Sequence, residues 1–321
     1  MAPARRTRRV LRRVGFAVVA VYAVVTVTFA LVAATANPNQ GYLVFELHHR
    51  SKSSAEIAQA VDAWRAARNL DEPLLTRYVR WVVNVTTFDW GRSFESGAPV
   101  VAVLAAGLGR TLRYLVPGVV LSALAVPLGL SLVGRRRGLS DRVATVVTYV
   151  AFGVPGFFLT VLLALLLTGN AAYTFGPVRG AREAPEVSVL VPALVVTAGT
   201  AATVLRNARG SGVAYRPRQF VKQLRAKGAS PARLTRHVFR NTVVPLFTLL
   251  SGELVPLLVL EVVVIEQVLT LPGFGTTLLA AISARDLPVV VGATMVVVFV
   301  GIGGNLVQDL LAVLVDPRSA D

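Results

Sequence analysis

Residues 206–241 read RNARGSGVAYRPRQFVKQLRAKGASPARLTRHVFRN and separate two long apolar segments. This stretch carries ten cations and no acid. Because Lys and Arg resist transfer across a membrane, we expect such a loop to lie on the cytoplasmic side. The stretch therefore indicates a membrane protein and sets the orientation of the spans on either side of it.

The middle of this loop has the pattern of two short helices joined by a glycine turn. Phe220, Val221 and Leu224 recur at helical spacing. Gly228 follows as the residue after a helix end, where a left-handed backbone costs glycine little. Ser230, with a proline after it, is typical of the N-cap of a second helix. The sequence therefore predicts a helix, a turn at Gly228 and another helix.

A basic pair of helices can also read DNA. A DNA reader, however, needs a small packed core of its own. The loop has few apolar side chains and is joined at both ends to apolar segments, so it cannot form such a core. We therefore expect no nucleic-acid partner.

The composition is that of a protein embedded in a lipid bilayer. Of the 321 residues, 54% are hydrophobic and 16% are charged, and the mean hydropathy is +0.63. The net charge of +16 is concentrated in three segments, with +6 in residues 1–13, +3 in 135–142 and +10 in 206–241. Residues 37–109 balance seven cations against seven acids. This asymmetry predicts that the three basic segments are cytoplasmic and that 37–109 is extracytoplasmic.

The apolar runs predict an all-α integral membrane fold with six transmembrane helices and both termini in the cytoplasm. A basic tail of residues 1–13 comes first, residues 37–109 form a small extracytoplasmic helical insertion, and residues 110–321 form the transmembrane core. The predicted spans are residues 14–36, 114–134, 143–168, 187–205, 242–265 and 287–308. The first run also fits a cleaved signal peptide, but it is longer than the roughly 7–15 apolar residues typical of one. We therefore favour an uncleaved first span.

Two features of the extracytoplasmic segment could be mistaken for sites. His48 and His49 could suggest a metal, but adjacent side chains point apart on a helix and no third ligand is near them. Asn84 begins a triplet with the form of a glycosylation acceptor, which we treat as incidental. A helix with its N-cap at Ser53 or Ser54 is predicted between these two features.

Nothing in the sequence predicts catalysis. There is no phosphate-binding G-x-x-x-x-G-K-[ST] loop and no Ser/His/Asp arrangement. There is also no cysteine, so disulfides and thiolate metal sites are excluded. We expect neither an enzyme, nor a metal, nor a cofactor.

Two glutamates, Glu253 and Glu261, lie in the predicted fifth span. A charged side chain at mid-membrane costs about 3 kcal/mol on insertion scales, so both should face the bundle interior or water. We expect Glu261 to face a translocation path, with a polar clamp between helices as the alternative. Just beyond it, Pro272, Gly273 and Gly275 predict a tight turn close to the membrane.

Several motifs resemble those of the permease subunits of ABC importers, in the dipeptide, oligopeptide and nickel group. They are LDEPLLTRYVRW at 70–81, GRSFESGAPV at 91–100, RAKG at 225–228, VVIEQVLTLPGFG at 263–275 and NLVQDLLAVLVDPR at 305–318. His237, Arg240, Asn241 and Pro245 also match the family's pattern after its cytoplasmic glycine. The family's Pro-Gly-Asp-Pro after the first span is absent, and ANPNQG stands in its place.

The resemblance implies a type I ABC importer permease fold that forms half of a path for peptides or a related small solute. A second homologous permease subunit would complete the path, two ATPase subunits would hydrolyse ATP, and an extracytoplasmic solute-binding protein would deliver the solute. The cytoplasmic loop 206–241 would dock on an ATPase as a coupling helix, through Lys222, Gln223, Leu224, Ala226, Lys227, Gly228 and Ser230. A re-entrant hairpin at 266–286 would line the outer mouth of the path. The path residues would be Glu253, Glu261, Glu266, Pro272, Gly273 and Gly275.

Two other functions remain open from the residues alone. A secondary transporter or channel driven by an ion gradient could use Glu253 and Glu261 as coupling groups. A membrane scaffold would carry no flux at all. The resemblance favours peptides as the substrate, and nickel and sugars remain alternatives.

Overall fold

The computed structural model describes residues 2–35, 38–132, 146, 153–154, 156–168, 188–201, 223–224, 226–230, 233, 236 and 260–315. Within these ranges the regular structure is helical, and the one β feature is an isolated antiparallel bridge between Arg92 and Pro99. The helices are α1 (Ala2–Ala34), α2 (Pro38–His49), α3 (Ser54–Ala66), α4 (Leu74–Thr86), α5 (Val100–Leu132), α6 (Gly156–Thr168), α7 (Ser188–Ala201), α8 (Val262–Leu269), α9 (Phe274–Ser283) and α10 (Leu287–Val315). The all-α prediction is confirmed for the described part of the chain.

Three of the described helices are long and apolar enough to cross a membrane. They contain the candidate spans Thr7–Ala34, Val100–Ser122 and Leu287–Leu310. The short helices α8 and α9 are bent by 84° at a short break and together would make a fourth. The predicted spans 14–36 and 287–308 overlap the first and last of these helices, and their bounds stay predictions. The total of six stays a prediction, because residues 242–259 and most of 143–155 lie outside the described ranges.

The helix α5 begins at Val100 rather than near residue 114. Pro99 comes just before it, and the Val103 N–H donates to the Pro99 carbonyl at 3.1 Å. A proline is well tolerated at a helix start because its missing N–H would have no partner there. Residues 100–109, which were assigned to the extracytoplasmic insertion, therefore form the first turns of a long helix.

The chain divides into two compact units. One unit consists of residues 14–104 and 278–299. Val25, Val85 and Met295 form a buried cluster in it, with Trp81 and Phe299 packed against that cluster. Helices α1, α4 and α10 each contribute to this core.

The helix α3 in this unit starts as predicted. Ser53 is its N-cap and forms a reciprocal capping box with Glu56. Hydrogen bonds to Glu56 from the Lys52 ammonium and then from Ser53 lower the pKa of the Glu56 carboxyl to about 2. On α2, the His48 ring lies 3.3 Å from the Val44 carbonyl oxygen.

The other unit consists of residues 1–13, 105–277 and 300–321. Its core joins α5, α7 and α8 through Tyr114, Leu115, Val191, Ala193, Val195, Val196, Val262, Ile265, Leu269 and Leu271. The helices α5 and α7 approach so closely that a Cβ on Gly118 would lie 2.8 Å from the Val196 side chain. In this unit α1 and α10 are joined by an ion pair between Arg13 and Asp309 at 2.8 Å.

Candidate functional site

The break between α8 and α9 lies at the predicted turn. α8 ends at Leu269, and Thr270 follows it in the left-handed conformation with φ 52° and ψ 37°. The Leu271 N–H then donates to the Glu266 carbonyl at 2.8 Å, which closes the end of the helix. Pro272 and Gly273 complete the turn before α9 begins. The predicted span 242–265 ends before Glu266, whereas α8 runs to Leu269. The span itself stays a prediction, because residues 242–259 lie outside the described ranges.

The carboxylate of Glu266, on α8, is enclosed by donors from α5 and α9. Its Oε1 accepts hydrogen bonds from the Thr111 hydroxyl at 2.5 Å and the Tyr114 hydroxyl at 2.8 Å. Its Oε2 accepts the Thr276 N–H at 3.0 Å. Glu266 has no exposed surface. Because a buried carboxylate is tolerated only when its lone pairs are satisfied, these donors make Glu266 a fixed clamp between α5, α8 and α9.

The glycines of the turn leave room for this clamp. A Cβ on Gly273 would overlap the Glu266 carboxylate. A Cβ on Gly275 would lie 2.6 Å from the Val263 Cα, and one on Gly107 of α5 would lie 3.0 Å from the Thr277 hydroxyl. Such distances are shorter than van der Waals contact. The P-G-x-G pattern is therefore needed for close approach of backbones as well as for the turn.

A cleft of about 350 Å³ opens beside the clamp. It is lined by Arg110, Arg113, Tyr114, Ser188, Val189, Glu266, Leu271 and Pro272. Among the described residues, neither of its two arginines makes an ion pair. Both arginines lie inside the candidate span of α5, where charged groups usually face water or a ligand. The cleft is thus a polar, cationic site in an otherwise apolar helix bundle.

The two other glutamates predicted to line the path are Glu261 and Glu253. Glu261 lies immediately before α8 and is partly buried. Its Oε1 lies 3.3 Å from the position that a Cβ of Gly199 would occupy, so it faces α7 at a point where that helix has no side chain. Glu253 lies outside the described residues.

The predicted cytoplasmic elbow has the expected turn. Gly228 has a φ of 71°, and no atom lies within 4 Å of the position of its missing Cβ. The Lys227 N–H donates to the Gln223 carbonyl and the Ala229 N–H to the Leu224 carbonyl, both at 3.0 Å. Glycine is therefore favoured here by backbone conformation and not by lack of space.

The second half of the elbow agrees with the predicted N-cap. The Arg233 N–H donates to the Ser230 hydroxyl at 3.4 Å. Gln223, Ala226 and Lys227 are exposed. Lys222 lies outside the described residues.

Sequence reasoning did not identify the partners of Glu266. Thr111 and Tyr114 are three residues apart and share one face of α5. Arg110 and Arg113 repeat the same spacing. Polar residues at this spacing inside an apolar helix were the available signal, but Glu266 is more than 150 residues away along the chain.

Comparisons with known proteins agree with this architecture. A profile of the family described as "Binding-protein-dependent transport system inner membrane component" matches residues 125–321, which is more than half of the chain. The oligopeptide transport system permease protein AppB of Bacillus subtilis is 26% identical over 275 residues, covering 83% of this chain and 85% of AppB. The nickel import system permease protein NikB of Staphylococcus aureus is 26% identical over 303 residues, covering 94% of this chain and 88% of NikB.

The profile covers the bent pair α8–α9 and the Gly228 elbow, while the relatives also cover most of the preceding chain. The chain therefore belongs to the family of inner membrane components of binding-protein-dependent transport systems and is the permease subunit of an ABC importer.

Proposed function

We propose that this chain forms one half of the path through which an ATP-driven importer takes up peptides. A second, homologous permease subunit forms the other half, and an extracytoplasmic binding protein delivers the peptide. Two ATPase subunits hydrolyse ATP on the cytoplasmic side, where both termini of this chain also lie. The name of the oligopeptide relative supports peptides as the substrate class, while the name of the nickel relative makes a metal ion the alternative cargo.

The observation that supports ATP coupling is the left-handed turn at Gly228. Backbone hydrogen bonds from the Lys227 and Ala229 N–H groups close this turn, and the polar side chains of Gln223 and Lys227 are exposed. A rigid elbow that docks on an ATPase can transmit a rigid-body motion, whereas a flexible loop would absorb it. We assign coupling to Lys222, Gln223, Leu224, Ala226, Lys227, Gly228 and Ser230.

The cleft beside α8 and α9 supports the proposal that part of the path runs through it. Its two arginines would attract carboxylates, which every peptide carries at its C-terminus unless it is modified. Pro272 is an exposed part of its wall, while Gly273 and Gly275 let α9 approach α8. In this proposal Glu266 holds the wall in shape, and Glu253 and Glu261 lie along the same path.

The test is uptake by purified components in liposomes. The chain is reconstituted with its partner permease and ATPases, and a mixture of labelled tripeptides is supplied with the binding protein outside and ATP inside. We expect uptake that requires ATP, the binding protein and both permeases. Liposomes with this chain alone should take up nothing.

Three other outcomes would each replace the proposal. Uptake by this chain alone under a proton or sodium gradient would identify a secondary transporter. ATP-dependent uptake of Ni²⁺ but not of tripeptides would retain the importer and change its cargo. Assembly of the complex without flux of either solute would leave only a structural role.

A further inference from the structure

The helix α4 has two distinct faces. Tyr78, Trp81 and Val85 lie on the face that packs against α1. The opposite side is mixed. It carries the aliphatic stripe, which we define as Leu75, Val79 and Val83, at spacings of four residues, together with the exposed residues Thr76 and Arg80. The residues of the stripe are 74%, 54% and 51% exposed. A contiguous row of exposed aliphatic side chains often marks a surface that contacts lipid or another protein.

The contacts of α4 with α1 show how far along the span it lies. The Trp81 indole N–H donates to the Val25 carbonyl at 3.1 Å, and the Tyr78 hydroxyl lies 2.8 Å from the Thr26 hydroxyl. At the end of α4, the Thr86 hydroxyl lies 3.3 Å from that of Tyr22. At about 1.5 Å per residue, the uncharged part of α1 after Arg13 is about 31 Å long, which matches the hydrocarbon core of a bilayer. The contact residues of α1 lie in the middle of that length.

The helix α10 gives a second and independent measure of depth. Val85 packs in the same buried cluster as Met295, and the ring centroids of Trp90 and Phe299 are 6.1 Å apart. The candidate span of α10 begins at Leu287. At about 1.5 Å per residue, Met295 and Phe299 lie about 12 and 18 Å inside it. Two spans therefore place the end of α4 at the same depth, near the middle of the membrane.

From this we infer that α4 is a re-entrant helix that enters the bilayer from the extracytoplasmic side, with Leu75, Val79 and Val83 facing lipid acyl chains. The chain turns after Thr86 and returns to the outer end of α10, where Ser93 binds Asp286. The side chains of the stripe are aliphatic and uncharged, as contact with lipid acyl chains requires. On α1, Val27 and Leu31 are also exposed. Lipid acyl chains can cover the exposed apolar residues of both helices because they adapt to any surface shape.

The charged residues of α4 fit this orientation. Arg77 and Arg80 lie in the first two turns, and the Arg80 side chain reaches back towards the start of α4, where it pairs with Glu72 at 2.7 Å. Long arginine side chains near a membrane boundary can keep their charge in the interface. At the deep end, Thr87 and Asp89 are exposed, and polar groups at that depth require water. The tip of the re-entrant segment therefore borders water, while the stripe faces lipid.

This placement also concerns the triplet that begins at Asn84. It lies beside Tyr22 and Val25 of α1, within the bilayer, and an enzyme that acts in water cannot reach it there. The motif is therefore not a modification site, whichever cell makes the protein.

The test uses the absence of cysteine from the natural chain. Single cysteines replace Leu75, Val79 and Val83, carry a nitroxide label, and are studied in the complete transporter in phosphatidylcholine nanodiscs. Collisions of each label with oxygen, which concentrates in lipid, are compared with collisions with a water-soluble nickel chelate. Val27→Cys on α1 is the lipid control, and Ala58→Cys, exposed on α3, is the water control.

We expect all three labels of the stripe to favour oxygen, as the label at Val27 does, with depth increasing from Leu75 to Val83. Asp89→Cys should instead react with a charged thiol reagent added from outside. Preferential collision of the stripe labels with the chelate, as at Ala58, would put α4 in the extracytoplasmic solution and overturn the inference. Protection of Val79 and Val83 from both collision partners would also overturn it, because a protein subunit would then cover the stripe.

Discussion

The carboxylate of Asp286 accepts a hydrogen bond from the Ser93 hydroxyl, with 2.5 Å between Oδ2 and Oγ. The Phe94 N–H donates to Oδ1 at 3.1 Å and the Glu95 N–H to Oδ2 at 3.4 Å. Asp286 is only 2% exposed, and its backbone carbonyl accepts the Val290 N–H at the start of α10. This one residue therefore fixes the 93–96 turn to the start of α10.

We expect Asp286→Asn to destabilise the protein by about 1–3 kcal/mol, because an amide cannot accept from all three donors and one buried donor loses its partner. Ser93→Ala should cost less, about 1 kcal/mol, since it removes a single donor. The measurement is the apparent Tm in detergent. Asp62→Asn, at an exposed position of α3, is the control and should leave the Tm unchanged. Equal Tm values for Asp286→Asn and the control would contradict this role.

The clamp at Glu266 predicts a graded response to substitution. Tyr114→Phe removes one of two donors to Oε1 and should cost about 1 kcal/mol. Glu266→Gln keeps the shape of the side chain but, with its oxygen held by Thr111 and Tyr114, turns an NH₂ group towards the Thr276 N–H. Two donors then face each other, so we expect a loss of about 1–3 kcal/mol and a looser start of α9. Faster hydrogen exchange in residues 274–277 would report the loosening, and unchanged exchange would argue against the clamp.

Two glycines of α5 form a matched pair. A Cβ on Gly107 would meet the Thr277 hydroxyl at 3.0 Å and the Gly273 carbonyl oxygen at 3.1 Å, whereas a Cβ on Gly109 would meet no atom within 4 Å. Gly107→Ala should therefore lower stability by about 1–3 kcal/mol through overpacking. Gly109→Ala should raise it by up to about 1 kcal/mol, because alanine favours a helix interior. Parallel thermal unfolding of the two variants checks the difference, and the same sign for both would refute it.

The elbow predicts that conformation, not size, decides which residues are tolerated at position 228. Gly228→Val places a β-branched residue in the left-handed region, where it is strained, while Gly228→Asn introduces a residue that visits this region readily. We expect the valine variant to reach the membrane and hydrolyse ATP in the complex but to lose most of its uptake. The asparagine variant should keep most of it. Uptake measured with ATP hydrolysis in the same liposomes separates the two, and full uptake by Gly228→Val would exclude a rigid elbow.

The features that could be predicted from sequence are those with a local signal. The apolar runs that became α1 and α10, the Pro272–Gly273 break and the left-handed Gly228 are all determined by residues next to one another. The predicted span 114–134 begins after Arg110 and Arg113, whereas the helix α5 begins at Val100. Hydropathy measures the cost of lipid exposure, whereas the helix start is set by Pro99.

The polar clamps could not be predicted, because their partners are far apart in the chain. Ser93 and Asp286 are separated by 193 residues, and Thr111 and Glu266 by 155. Each residue alone looks like an ordinary polar residue. The depth of α4 was hidden for a related reason: its sequence shows that it is amphipathic, but only its register against α1 and α10 shows what surrounds it.

Thr270 places backbone strain at the bend between α8 and α9. It is a β-branched residue in the left-handed region, and its hydroxyl is buried without a hydrogen-bond partner among the described residues. A strained backbone of this kind costs about 1–3 kcal/mol, and that energy is released if the residue becomes helical. A glycine at position 270 would remove this cost. In the native chain the hydrogen bonds of Glu266 and the close packing at Gly273 and Gly275 must offset it.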